Sequence, residues 1–158
     1  MTSPSHDELE ALRAWFRTWE ASVRNVDYAS ARKLFDAGVV SFGTRAEFVL
    51  GLDALEAEQW RAVWPCIADF RFLVESLRGG IAQDHAWAAV PWTSTGFEEN
   101  GTAFDRRGRA TVAFRRDGPQ WLGVHTHFSL KPGTPPHTHG RRDPSVPIAK
   151  FAGTRSDR

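Results

Sequence analysis

Residues 115–130 read RRDGPQWLGVHTHFSL, and the way they are parsed decides the fold. Asp117-Gly118 is a tight-turn signal, and on either side of it lie runs dense in β-branched and aromatic residues. The run before it spans Ala103 to Arg116, and the run after it spans Trp121 to Leu130. Two further strands precede this hairpin. Ala86 to Thr95 closes at Asn100-Gly101, and Phe70, Phe72 and Val74 alternate with Arg71, Leu73 and Glu75 before Gly79-Gly80, read as a turn. Four strands joined by short turns form an antiparallel meander.

The chain ahead of residue 68 reads differently. Ser5-His6-Asp7-Glu8 is a capping box, in which the Ser5 and Glu8 side chains satisfy free backbone N–H groups at a helix start. Leu9, Leu12, Phe16, Trp19 and Val23 then recur at spacings of three and four, one apolar helix face widened by Trp15. Asp27 caps a second helix carrying Leu34 and Phe35, with Gly38 as its stop. A short strand covers Val39 to Phe42. Thr44-Arg45-Ala46-Glu47 and Asp53-Ala54-Leu55-Glu56 are two more helix starts, and Pro65 ends the second of these helices. Helices followed by a meander define an α+β domain.

Composition narrows the function. Twenty basic residues against nineteen acidic ones leave a net charge of +1, and the basic residues are scattered. No concentrated basic face for nucleic acid is expected, and the pairs Arg106-Arg107, Arg115-Arg116 and Arg141-Arg142, each beside a turn, read as solvated. Cys66 stands alone, so neither an intrachain disulfide nor a cysteine zinc site is expected. No apolar run approaches a membrane span and the start lacks a secretory pattern, so a cytoplasmic protein with no membrane partner is expected. No Gly-rich phosphate loop or other cofactor motif is found. Ala86–Trp92 and Ala110–Phe114 are apolar on both strand faces, which predicts cover on both: helices on one, a second copy of the chain on the other.

This order of elements resembles the nuclear transport factor 2-like superfamily, and within it the SnoaL-like domains. The resemblance is carried by the first helix with Trp15, Phe16 and Trp19, by Asp27, and by Ser41-Phe42-Gly43-Thr44. It continues through Gly51-Leu52-Asp53-Ala54-Leu55 and ends on the hairpin quoted above, which also looks like the association domain of calmodulin-dependent kinases. It spans roughly residues 8 to 131. It implies N-terminal helices on a strongly curved antiparallel sheet, a cone with an internal pocket, over residues 1–131, followed by a Pro-rich tail over 132–158. It implies a homodimer through the convex sheet face. It leaves function wide, from isomerases, lyases and hydrolases to non-catalytic assembly modules.

The resemblance also nominates residues. Trp15, Trp19, Phe42, Trp60 and Trp92 are expected to reach one cavity with Thr126 and Phe128 on its floor, and a small apolar molecule is the expected occupant. Tyr28, Arg45 and Asp27 would supply polar groups. Enzymes of this fold use an Asp or His in the cavity as general base, and here the weak candidates are Asp27, His125 and His127. Asp27 is equally an N-cap. Parity places Leu122, Val124, Thr126, Phe128 and Leu130 inward, and Trp121, Gly123, His125, His127 and Ser129 on the outer face. His125 and His127 then meet a partner sheet, unless they act as an acid/base pair or bind metal with His137 and His139. No metal is expected, since the histidine pairs lack a third ligand in a supporting pattern.

Overall fold

The computed structural model describes residues 4–44 and 47–140. Its first helix, α1 (His6–Asn25), begins at the capping box: Ser5 N donates to Glu8 Oε2 at 2.8 Å and Glu8 N donates to Ser5 Oγ at 3.3 Å. The apolar stripe is buried along its length, with Leu12, Trp15, Phe16, Trp19 and Val23 facing the sheet. Val26 ends α1 in the left-handed region at φ 53°, and Asp27 caps α2 (Tyr28–Arg32) by accepting from Ser30 N at 3.0 Å.

From there the structure departs from the sequence expectation. The second helix stops at Arg32, and Phe35 opens strand β1 (Phe35–Phe42), which runs straight through Gly38. Leu34 and Phe35 fit the apolar face of a short helix and a strand start alike, and parallel pairing with the last strand settles the matter. Around residues 44–47 the expected helix start is replaced by a return to the sheet edge at β2 (Val49–Leu50); Arg45 and Ala46 lie outside the described residues. The helix expected after Asp53 is present as one stretch in three windings: α3 (Leu52–Ala54), a π-helical segment (Leu55–Trp60) and α4 (Arg61–Val63). Pro65 sits in a 3-10 turn that closes it (Trp64–Cys66).

The meander follows: β3 (Ala68–Phe72), β4 (Arg78–Ala82), β5 (His85–Phe97), β6 (Ala103–Asp117) and β7 (Gln120–Leu130). Val74 lies in a 3-10 turn between β3 and β4, not in a strand. Gly79 and Gly80 are strand residues rather than a turn. A side chain on Gly79 would collide with the Trp87 carbonyl and with Leu12, so glycine there lets α1 seat on the sheet, and the reversal falls at Gln83-Asp84. The seven strands lie in the order β2-β1-β7-β6-β5-β3, with β4 also on β5. All pairs are antiparallel except β1 with β7, so the sheet is mixed.

Burial alternates along β5 with few breaks. Ala86, Ala88, Val90, Trp92 and Ser94 are buried on the helix side, while Trp87 is 39% exposed opposite. The helices fill the concave side, where Trp15 meets Phe114 edge-on at 4.8 Å and Phe16 meets Phe72 at 4.9 Å. The tail up to Gly140 is fastened. Thr138 Oγ1 accepts from Phe97 N and donates to Cys66 O, both at 2.7 Å, and His139 N donates to Phe97 O at 2.9 Å.

One register change matters for the site. Phe114 pairs with Gly123 but Ala113 with His125, so Val124 is an extra residue, a β-bulge. Parity therefore inverts across it. Trp121 joins the core and Gly123 faces Trp15 and Phe35, while Leu122 sits on the opposite face beside Arg115. The inward assignment of Leu122 and Val124, and the outward one of Trp121 and Gly123, are corrected by that single insertion.

Candidate functional site

Between α1, the π-helical segment and the inner faces of β6 and β7 lies a cavity of about 60 Å³. Its walls are apolar: Trp19, Trp60, Trp64, Ile67, Phe70 and Phe128. Polar atoms enter at few points. Ser41 Oγ donates to Gln59 Oε1 at 3.0 Å and lies 2.7 Å from Thr126 Oγ1, a buried hydroxyl chain across β1 and β7 that orients Gln59. The π-helical winding carries Gln59 over Gly43, where any side chain would collide with the Gln59 amide. Gln59 Nε2 and Trp19 Nε1 are both buried, both belong to residues lining this cavity, and neither meets an acceptor among the described residues.

Arg106 completes the set and was not foreseen. It is 3% exposed, because it shares inward parity with Gly108, Ala110, Val112 and Phe114 on β6. Its Nη1 donates to Ser94 Oγ at 3.4 Å and its Nη2 to Thr44 Oγ1 at 3.2 Å. The guanidinium lies 4.9 Å from the Trp92 ring centroid. The reading of Arg106-Arg107 as a solvated pair holds only for Arg107, which is exposed and paired with Asp105 at 2.7 Å. The signal was present in the sequence: counting back in steps of two from Phe114 lands on Arg106.

The nominated residues divide. Trp19, Trp60, Thr126 and Phe128 line the cavity. Trp15 lies deeper in the core against Phe16, Phe35 and Phe114, and Trp92 packs on Phe70 and Phe128 behind Arg106. Tyr28 stacks on Trp64 at 5.3 Å with Arg61 over its ring, which places it at the rim. Phe42 is a correction. Its ring sits on His125 and His127 at 5.6 and 5.5 Å, on the outer face, because Ser41 rather than Phe42 has the inward parity on β1. Arg45 lies outside the described residues.

Asp27 does not reach the cavity. It is exposed, and its hydrogen bonds from the Ser30 hydroxyl and amide hold its carboxyl below the usual range, so it is a cap rather than a base. His125 and His127 pair across the sheet with Ala113 and Thr111 on the outer face. His137 and His139 lie in the tail, and among the described residues no three His, Cys, Asp or Glu side chains come together to hold a metal. Glu58, exposed at the mouth, is the one carboxylate among the cavity-lining residues. Among the described residues, no helix is long and apolar enough to cross a membrane.

A curved sheet closed over a helix-lined cavity makes this a cone-fold protein of the ketosteroid-isomerase-like class. The family follows from the sequence: residues 12–132 match the SnoaL-like domain, and the chain belongs to that family. No curated protein matches it. Solved structures are similar in fold. A ketosteroid isomerase-like protein from Erwinia carotovora atroseptica aligns at 15% identity and TM-score 0.67, covering 80% of this chain and 98% of that one. A nuclear transport factor 2-like protein from Pseudomonas putida aligns at 26% identity and TM-score 0.65, covering 79% and 87%. The calmodulin-dependent kinase II association domain of C. elegans aligns at 17% identity and TM-score 0.60, covering 78% and 95%.

Proposed function

We propose that this protein is a small-molecule-binding member of its family, holding an apolar ligand that presents a hydrogen-bond acceptor to the cone interior. One observation carries the reading: Trp19 Nε1 and Gln59 Nε2, buried donors without acceptors among the described residues, belong to the walls of one apolar cavity. A buried polar group left unmatched costs about 1–3 kcal/mol, and an acceptor on a ligand recovers it. The cavity is small, so the ligand's polar end sits inside while its apolar body extends between Trp60, Trp64 and Val63 toward the mouth.

A transformation of that ligand as an isomerase, lyase or hydrolase has less support. Donors of this kind polarise a carbonyl, but proton transfer needs a base, and Glu58 at the mouth is the lining group with that chemistry. Calorimetric titration of the full chain with phenylacetamide, an aromatic ring bearing one neutral acceptor, tests the binding reading. Saturable binding that weakens at least about fivefold in Trp19→Phe is expected. No heat at millimolar ligand would remove the reading.

The outer face supports a second property, self-association. Trp87, Ala113, His125, Val40 and Leu50 form one continuous cross-strand row, and Ala89, Thr111, His127 and Phe42 form the next. Trp87 is 39% exposed and Leu50 68%. Large apolar groups aligned on an uncovered sheet suit a second copy of the chain, as the homodimer expectation holds. An assembly module and a pocket protein are compatible, since the two features occupy opposite faces of one sheet.

A further inference from the structure

We infer that the cavity selects anions, specifically a carboxylate on an aromatic or alkyl body, with the Arg106 guanidinium as the group that receives the charge. The inference rests on the reading of this cavity as a ligand pocket and adds the charge of the ligand. Arg106 is buried, lines the cavity, and is held in place by two hydroxyls and a ring face: Ser94 Oγ, Thr44 Oγ1 and Trp92. A buried guanidinium has already lost most of its hydration, and a planar carboxylate matches its fork of N–H groups better than any neutral acceptor does.

The surroundings reinforce the choice. Among the cavity-lining groups the buried donors are Arg106, Trp19 Nε1 and Gln59 Nε2, while the one anion, Glu58, stands exposed at the mouth where solvent screens it. A cation in an apolar surround acts on an entering charge more strongly than the same cation on a surface. The wall opposite is aromatic, with Trp60 stacked on Trp64 at 4.8 Å, which provides a flat slot for the ligand's body.

The test compares phenylacetate with phenylacetamide, equal in shape and different in charge, by calorimetry on the full chain at fixed ionic strength. Phenylacetate is expected to bind at least about tenfold more tightly. In Arg106→Gln the preference should fall to within about twofold while the amide's affinity holds. The exposed guanidinium of Arg109 serves as control, and Arg109→Gln should change neither ligand. Equal binding of the two ligands to the native protein would overturn the charge inference and leave the pocket reading standing. Failure of both ligands to bind would overturn both. A preference lost in Arg109→Gln instead would place the anion on the outer surface and overturn the inference as well. Should Arg106→Gln not fold, the comparison on the native protein decides alone.

Discussion

Val26 and Asp36 illustrate how single residues set the stability on which the site depends. Val26 adopts φ 53° at the end of α1, a conformation that costs a β-branched residue about 1–2 kcal/mol, and its side chain is partly exposed, so little packing offsets that cost. Val26→Gly is therefore expected to stabilise the fold by about 1 kcal/mol in urea unfolding; a loss of stability would mean the side chain packs more than its exposure indicates. Asp36 accepts two hydrogen bonds from Arg115, Nε at 2.9 Å and Nη2 at 2.5 Å, and one from Gly38 N at 2.8 Å. The Arg115 guanidinium first, and the Gly38 amide second, hold its carboxyl below the usual range. A carboxyl depressed in the folded state contributes stability above its unfolded pKa of about 3.9, and that contribution is lost as pH falls through the folded value. Asp36→Asn should be less stable than the native protein at pH 7, and the difference should shrink steadily below about pH 4. A difference that persists undiminished at low pH would assign the effect to packing rather than charge.

At the scale of elements, what could be read from the sequence depended on whether a pattern admitted more than one parse. The α1 stripe and the alternation in β5 and β6 admit one parse each, and both elements stand where the pattern puts them. In β7, Trp121 and Leu122 are both large and apolar, so a period-two pattern fits either register. The bulge at Val124 that selects one leaves no mark in composition. The same bulge leaves His125 and His127 outward as expected while inverting everything before Gly123. For the site, aromatic content announced the walls of the cavity, yet the reading passed over Gln59 and Arg106. Gln59 depends on a π-helical winding that periodicity does not resolve, whereas Arg106 was recoverable by extending the β6 parity past its apolar residues. The tail is a further case, since its fastening rests on one hydroxyl. Thr138→Val keeps the shape and removes both bonds to Phe97 N and Cys66 O. Hydrogen exchange at the Phe97 amide should quicken markedly, with about 1–2 kcal/mol lost locally and the β5–β6 core unchanged. An unaltered rate at Phe97 would show the strap to be held by other contacts.

At the scale of the whole molecule, the two faces of the sheet have separable roles, and separability is what can be tested. The inner face is buried under α1 and holds the cavity; the outer face carries the rows of Trp87 and Phe42 with both histidines between strands. If a second copy covers the outer face, association removes Trp87, Leu50 and Phe42 from water, and a charge placed among them has no partner once buried. Trp87→Glu is expected to convert the dimer to a monomer in sedimentation at about ten micromolar, a concentration that populates a dimer of micromolar affinity. Circular dichroism should hold, because Trp87 lies opposite the core, and ligand affinity should hold, because the cavity is on the other side. Phe114→Ala makes the opposite change, opening a hole of the kind that costs about 3–5 kcal/mol beneath α1 while leaving the outer rows in place. A native chain that sediments as a monomer would sink the assignment of the outer face to self-association. A Trp87→Glu variant that stays dimeric but loses ligand would show that the two faces are coupled through β5, and that the partner helps shape the cavity.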